Sequence, residues 1–234
     1  MDVARQPSDS SEGEADAPLD DDGDRSRRLG PERVLTLTDG VFAIIITILV
    51  LELKVPELGS GVKLVDALEE VRPTFVAFVI SFLLVGMYWV WHRGVFANVR
   101  YVDLNLLWIN LLFLLPVAMV PFAASVLGEY SSDPAALHLY GFVLIVATLV
   151  RIWIDFYLGS HPGLLWAAAG KQRRRINMIA ASALVAVYVV AMLIAGVAPG
   201  LSLFLYFAMP GIYFLIVTLL KTGPRTKAAA EDLA

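Results

Sequence analysis

The fold of this chain is decided by one stretch, which reads RVLTLTDGVFAIIITILVL from Arg33 to Leu51. The run is apolar and long enough to cross a bilayer, which takes about 20 helical residues. Its first two turns nevertheless contain the carboxylate of Asp39. A charge inside a membrane-spanning segment is costly, and such residues therefore mark functional sites by default.

Beyond Asp39, the same stretch predicts a stripe of side chains on one face of a helix. The stripe follows the i, i+3, i+4, i+7 spacing that aligns residues along a helix, and it consists of Ile44, Thr47, Ile48 and Leu51. From the residues alone, an ordinary helix-packing seam is the favoured interpretation of this pattern.

Working outward, the composition indicates an all-α integral membrane protein. Of the 234 residues, 58% are hydrophobic and only 17% are charged, and the charges lie between long apolar runs. The predicted fold has six transmembrane helices, at about 34–53, 73–92, 104–127 and 136–158, with two more in 176–220. A turn at Val197-Ala198-Pro199-Gly200 separates the last two helices.

The distribution of lysine and arginine orients these spans. Fourteen of them fall on the side that holds both termini, three on the other side, and Arg151 within a span. By the positive-inside rule, both termini are cytoplasmic and the chain is a multi-pass protein of the cytoplasmic membrane. The basic run 171–175 is expected to face the lipid bilayer, and nucleic acid is not an expected partner.

Three regions are predicted along the chain: a cytoplasmic tail at 1–30, a six-helix domain at 31–222 and a second cytoplasmic tail at 223–234. The first tail has nine of the 22 acidic residues and is predicted to be disordered. A solvated tail is the favoured interpretation, and a partner-binding tail is the alternative. The outer segment 55–72 is either a short amphipathic helix or an irregular cap.

The topology also predicts a polar layer near the cytoplasmic ends of the first three spans. The layer is either a structural clamp that fixes helix register or a proton relay or substrate site, and for His92 and Asn110 we favour the clamp. Arg151 and Asp155, one turn apart on the fourth span, are expected to form a local ion pair with a snorkelling arginine. The members of the layer are Arg33, Asp39, Trp91, His92, Asp103, Asn105 and Asn110.

Enzyme motifs are missing from the sequence. It contains no G-x-S-x-G, H-E-x-x-H or Walker-type loop, and its three histidines and lack of cysteine make a zinc site and disulfides poor expectations. The chain is therefore expected to have no catalytic residues and no cofactor.

Three motifs are similar to those of the bacterial TMEM175 family of potassium channels. They are Arg33-x-x-x-Leu37-Thr38-Asp39-Gly40, Tyr88-Trp89-x-x-His92 and Asp103-x-Asn105-x-x-Trp108-x-Asn110. The resemblance covers about residues 31–220. The family has phenylalanine and serine where this chain has Leu37 and Thr38; the second change keeps the hydroxyl group.

The resemblance implies a homotetramer in which four copies of the first helix line a central pore. The matching constriction residues are Ile44, Ile48 and Leu51, and Thr47 matches a hydroxyl that coordinates potassium transiently. The motif residues implied to pack between the first three helices are Arg33, Thr38, Asp39, Trp91, His92, Asp103 and Asn110.

We therefore expect a passive channel that prefers potassium modestly over sodium. The alternative is a proton-coupled small-solute transporter with Asp39 and His92 as its relay. A weaker alternative is a membrane scaffold whose acidic tail binds a partner.

Overall fold

The computed structural model describes residues 30–55, 63–166 and 171–221, with no side chains described for 171–173, 210 and 213–221. The predicted N-terminal tail up to residue 29 and the predicted C-terminal tail lie outside the described residues. Every long element in the described part of the chain is a helix.

The helices follow one another along the chain with short connections. They are α1 (Glu32–Ile48), α2 (Leu64–Glu70), α3 (Arg72–Phe96), α4 (Leu104–Ala118), α5 (Val120–Glu129), α6 (Pro134–Ser160), α7 (Lys171–Ile194) and α8 (Pro199–Lys221). A 3-10 turn, Leu49–Glu52, extends α1, and another, Pro162–Leu164, follows α6. A short helix and an irregular cap were the two alternatives for segment 55–72, and its described part contains the short helix α2.

Five spans in the described part are long and apolar enough to cross a membrane: Glu32–Glu52, Arg72–Phe96, Leu104–Glu129, Pro134–Ser160 and Arg174–Ile194. The sixth predicted span falls on α8, where a shorter apolar stretch, Pro199–Met209, is found. The all-helical membrane class agrees with the sequence prediction, and the count of six spans stays a prediction.

The third span is broken where prolines interrupt it. Pro116 lies inside α4 and Pro121 lies in the first turn of α5, on either side of Met119. A proline lacks the N–H that bonds to the carbonyl four residues back. The backbone tightens at this point, and the N–H of Met119 donates to the carbonyl of Pro116 at 3.1 Å. The third span is therefore divided at this point into α4 and α5.

Buried tyrosines connect the helices in the interior of the bundle. Tyr140 shares a hydrogen bond of 2.9 Å with Ser81, and Tyr88 shares one of 2.8 Å with Thr148. The hydroxyl of Tyr206 donates to the carbonyl of Leu137 at 3.1 Å. Inside a membrane these bonds hold helices together, since the hydrophobic effect does little between segments already in lipid. They join α3 and α8 to α6.

The segment that follows α3 and the segment that follows α6 are joined by hydrogen bonds. The backbone N–H of Arg100 donates to the carbonyl of Leu164 at 2.8 Å, and that of Trp166 donates to Asn98 at 3.1 Å. The Arg100 guanidinium lies 4.8 Å from the ring centre of Tyr101 and 5.1 Å from that of Trp166. These contacts fix the end of α3 relative to the end of α6.

Candidate functional site

Helix α1 has two faces that differ in burial. One face packs against α3, α4 and α5, and its buried residues are Val34, Thr38, Phe42 and Ile45, with Leu49 continuing the face into the 3-10 turn. The apolar spacing of the first span therefore places a full stripe of α1 inside the protomer.

The opposite face of α1 is uncovered in the single chain. Ile44 is 58% exposed, Ile48 39% and Leu51 73%. Gly40 and Thr47 are exposed on the same side. The stripe selected from the sequence thus lies on the outside of the protomer, and it is not a packing seam within one chain.

The hydroxyl of Thr47 has a defined orientation within this exposed stripe. Its oxygen lies 2.9 Å from the carbonyls of Ala43 and of Ile44, to which it donates its hydrogen. A hydroxyl has one hydrogen and two lone pairs. Because the hydrogen is directed at the backbone, the lone pairs are available to a ligand outside the helix.

A hydrogen-bonded chain of three side chains holds the buried face of α1. The amide nitrogen of Asn110 donates to the hydroxyl of Thr38 at 3.0 Å, and its amide oxygen lies 2.8 Å from Nε2 of His92. With the amide in that orientation, Nε2 of His92 is the donor. All three residues are buried. This chain joins α1 to α4 and α3 at one depth.

Asp39 lies beside this chain and has a partner of its own. The indole Nε1 of Trp89 donates to Oδ1 of Asp39 at 2.8 Å, and the Arg93 guanidinium is 5.8 Å from the centre of the same indole ring. The residue predicted for the polar layer was Trp91, and Trp89 was not, although Trp89 is part of the motif Tyr88-Trp89-x-x-His92. The two tryptophans lie on different faces of α3.

The remaining residues of the expected polar layer are placed elsewhere. Arg33 is exposed, and in the described part of the chain it forms no hydrogen bond or ion pair with Asp39. Asp103 caps α4 by accepting from the N–H of Leu106 at 2.8 Å, and it accepts from the hydroxyl of Tyr157 at 2.6 Å. The residues of the predicted polar layer therefore form separate contacts and not one connected layer.

Arg151 and Asp155 face the interior of the bundle, and each is 1% exposed. The Arg151 guanidinium lies 4.8 Å from the ring centre of Trp91. The expectation of a snorkelling arginine is thus wrong, because the side chain is buried within the bundle against the ring of Trp91. Trp91 in turn contacts His92 and Phe113 edge-on.

Asp39 and His92 each have a partner that is a poor carrier of protons. The partner of Asp39 is an indole N–H, which only donates, and the partner of His92 is a carboxamide. Neither group readily takes up one proton and releases another at neutral pH. Among the described residues, no group of three histidines or acids is arranged to hold a metal ion.

Comparison with known proteins extends this picture. A family model described as endosomal/lysosomal potassium channel TMEM175 matches residues 33–121, which include α1, α3 and the three-residue chain. The chain is 41% identical over 135 residues to a protein from Streptomyces collinus named a potassium channel, a match that covers 55% of this chain and 66% of that protein.

Two further relatives cover more of the fold. A protein from Chryseobacterium sp., also named a potassium channel, is 35% identical over 151 residues, which are 63% of this chain and 77% of the relative. The crystal structure of a lysosomal potassium-selective channel TMEM175 homolog from Chamaesiphon minutus superposes with a TM-score of 0.70 at 28% identity. That superposition covers 79% of this chain and 96% of the solved one.

Proposed function

Because the chain belongs to the TMEM175 family of ion channels, we propose that it forms a homotetrameric potassium channel in the cytoplasmic membrane. Membership of the family confirms the resemblance seen in the sequence, and it agrees with the expectation that the protein is not an enzyme. The relatives from Streptomyces collinus and Chryseobacterium sp. are named potassium channels, which supports potassium as the permeant ion.

The observation that carries the proposal is the exposed stripe of α1. Branched apolar side chains at Ile44, Ile48 and Leu51 are uncovered in one chain, while the other face of the helix is fixed to its own bundle. Four chains that share a central axis would cover these stripes with one another. The proposed pore is therefore lined by α1, and its constriction is formed by these three residues.

Conduction through such a pore follows from the size and polarity of the groups in it. Rings of isoleucine and leucine close a narrow passage by excluding water. A ring of four Thr47 hydroxyls, each with its lone pairs free of backbone bonds, would replace part of an ion's hydration shell. Potassium gives up its water at lower cost than sodium, so a modest preference for potassium follows. No cofactor takes part in this scheme.

In this proposal, Asp39 and the chain from Thr38 to His92 have a structural role: they set the rotation of α1 and so the direction of its stripe. Each subunit has six spans, with both termini on the cytoplasmic side. The whole six-helix unit at 31–222 is the channel domain.

Potassium efflux from liposomes tests the proposal directly. Purified protein is reconstituted with potassium inside, sodium outside and no proton gradient. Passive efflux is expected, and Ile44→Asn should enlarge it several-fold because a polar side chain hydrates the constriction. Leu149→Asn, an exposed position on α6, is the matched control and should leave the flux unchanged.

Other results would favour the alternatives. Flux that appears only with an imposed proton gradient, that is lost in Asp39→Asn or His92→Gln and that is indifferent to Ile44→Asn would indicate a proton-coupled transporter. Two results together would favour the scaffold over the channel. The liposomes would show no flux, and deletion of residues 1–30 would abolish the role of the protein in cells.

A further inference from the structure

An open groove runs beside α1 where this helix meets the break between α4 and α5. Its walls are apolar and include Ile44 and Ile48 of the exposed stripe. The lining residues in the described part of the chain are Val41, Ile44, Ile45, Ile48, Glu52, Ala118, Pro121, Phe122 and Ser125. The groove thus continues from the proposed constriction to the end of the 3-10 turn that follows α1.

Glu52 is the one charged residue among those lining residues. It is the last residue of the 3-10 turn that extends α1, and it lines the same groove as Ile44 and Ile48. Its side chain is half-buried. In the described part of the chain, its carboxylate has no hydrogen bond or ion pair, so its charge is not neutralised by a neighbouring group there.

We infer that Glu52 attracts permeant cations to the outer mouth of the pore and sets the rate at which they enter from that side. The inference rests on the proposed function, because it requires four copies of α1 around one axis. In that arrangement four Glu52 carboxylates surround the mouth immediately outside the apolar constriction. Charges of one sign beside low-dielectric walls raise the local concentration of counter-ions.

This role differs from that of Thr47. Glu52 keeps contact with water, so a cation attracted to it retains most of its hydration shell and loses water only at the narrower rings. The exposed Lys54, two residues further on, has the opposite charge and offsets part of the effect. The electrostatic attraction is therefore expected to be sensitive to ionic strength, because salt screens charges that lie in water.

Single-channel recording in giant liposomes tests the inference. With about 20 mM KCl on both sides, the wild type should pass roughly twofold more current in the direction of entry past Glu52. Glu52→Gln should remove this asymmetry, Glu52→Asp should retain it, and Lys54→Gln should increase it. At about 1 M KCl, where the screening length is about 3 Å, all four proteins should conduct alike.

A matched control is Glu70→Gln, an exposed acid on α2, which packs against α3. It should behave as the wild type. The inference is overturned if Glu52→Gln and Glu70→Gln have the same rectification at low salt. It is also overturned if the lower current of Glu52→Gln in the direction of entry past residue 52 persists at about 1 M KCl, because that would indicate a structural change. Wild-type protein that conducts no potassium at all would instead refute the proposed function.

Discussion

Two threonines on α1 show how one residue type acquires different roles on the two sides of a helix. Thr38 faces the bundle and accepts a hydrogen bond from Asn110, whereas Thr47 faces outward and donates to its own backbone. The first hydroxyl is therefore part of the packing of the protomer. The second is held in place by the helix and is left open to whatever covers the exposed stripe.

Replacement of Thr38 should test the buried chain. Thr38→Val keeps the shape of the side chain but leaves the Asn110 amide without its acceptor, which costs about 1–3 kcal/mol for a buried donor. We expect the thermal transition of the detergent-solubilised protein to fall by several degrees. Thr36→Val, an exposed position whose hydroxyl bonds to the carbonyl of Glu32, is the control. Equal shifts for the two variants would contradict the clamp.

Asp39 gives a second prediction at the residue scale. Its carboxylate accepts from the indole of Trp89, and hydrogen bonds to charged groups contribute about 1.5–3 kcal/mol. Asp39→Asn should weaken this contact and lower the yield of assembled tetramer in size-exclusion chromatography with light scattering, while the exposed Glu32→Gln should not. Normal assembly combined with altered selectivity would show that Asp39 acts on the permeant ion.

Which of Trp89 and Trp91 faces α1 could not be predicted from the sequence. Two residues two positions apart on a helix point in nearly opposite directions, about 160° apart, so only one can face α1. The sequence places both at the right depth, but the rotation of α3 is set by its packing against several neighbours. The same ambiguity affected Arg151, because a long side chain at a span end can reach either the lipid interface or the bundle interior.

At the scale of the elements, the positions of the spans were largely predictable from the sequence. Bilayer thickness imposes a length on each apolar run, so the predicted spans overlap α1, α3, α4 with α5, and α6. The break near Met119 also has a local cause, because Pro116 and Pro121 lie on either side of it. The helix α2 was harder to predict, since a seven-residue element depends on contact with α3 more than on its own pattern.

Close helix packing depends on small residues whose importance the sequence does not reveal. A Cβ at Gly128 on α5 would lie 2.8 Å from the backbone Cα of Thr74 on α3, while a Cβ at Gly86 would meet nothing within 4 Å. Membrane helices commonly use glycine where two backbones approach each other. Gly128 is therefore a packing position and Gly86 is not.

Alanine substitution at the two glycines should have opposite effects. Gly128→Ala should destabilise the protein by about 1–3 kcal/mol because two backbones would have to separate. Gly86→Ala should be neutral or stabilising by up to about 1 kcal/mol, since alanine favours the helix. Thermal unfolding of the two variants side by side measures the difference. A loss of stability at Gly86 as large as that at Gly128 would contradict the assigned contact.

At the scale of the whole molecule, the sequence predicted a membrane bundle but could not establish how many copies assemble. Subunit number depends on contacts between copies, and a hydrophobic pattern marks a buried face without identifying what buries it. For the stripe of α1, lipid, another helix of the same chain and a second copy produce the same pattern. The described part of the structure excludes another helix of the same chain, because Ile44 and Leu51 are exposed within the protomer.

The absence of cysteine from the chain allows the remaining two possibilities to be separated by cross-linking. A single cysteine at Ile44, Ile48 or Leu51 would face its counterparts across a common axis. At the narrowest ring, the Cα atoms of two such cysteines should lie within the separation of about 4.4–6.8 Å that a disulfide needs. Oxidation in membranes should then give disulfide-linked dimers for at least one of these variants on non-reducing gels.

Leu149→Cys, an exposed apolar position on α6, is the matched control for a side chain that faces lipid. Cross-links within a tetramer form at a rate that does not depend on protein density in the membrane, whereas collisional cross-links slow as the protein is diluted into lipid. We expect the cross-linking rate of the α1 variants to be independent of protein density, and that of Leu149→Cys to fall on dilution. If the α1 cysteines cross-link no faster than Leu149→Cys at every dilution, their stripe faces lipid, and the pore must be formed by another part of the chain.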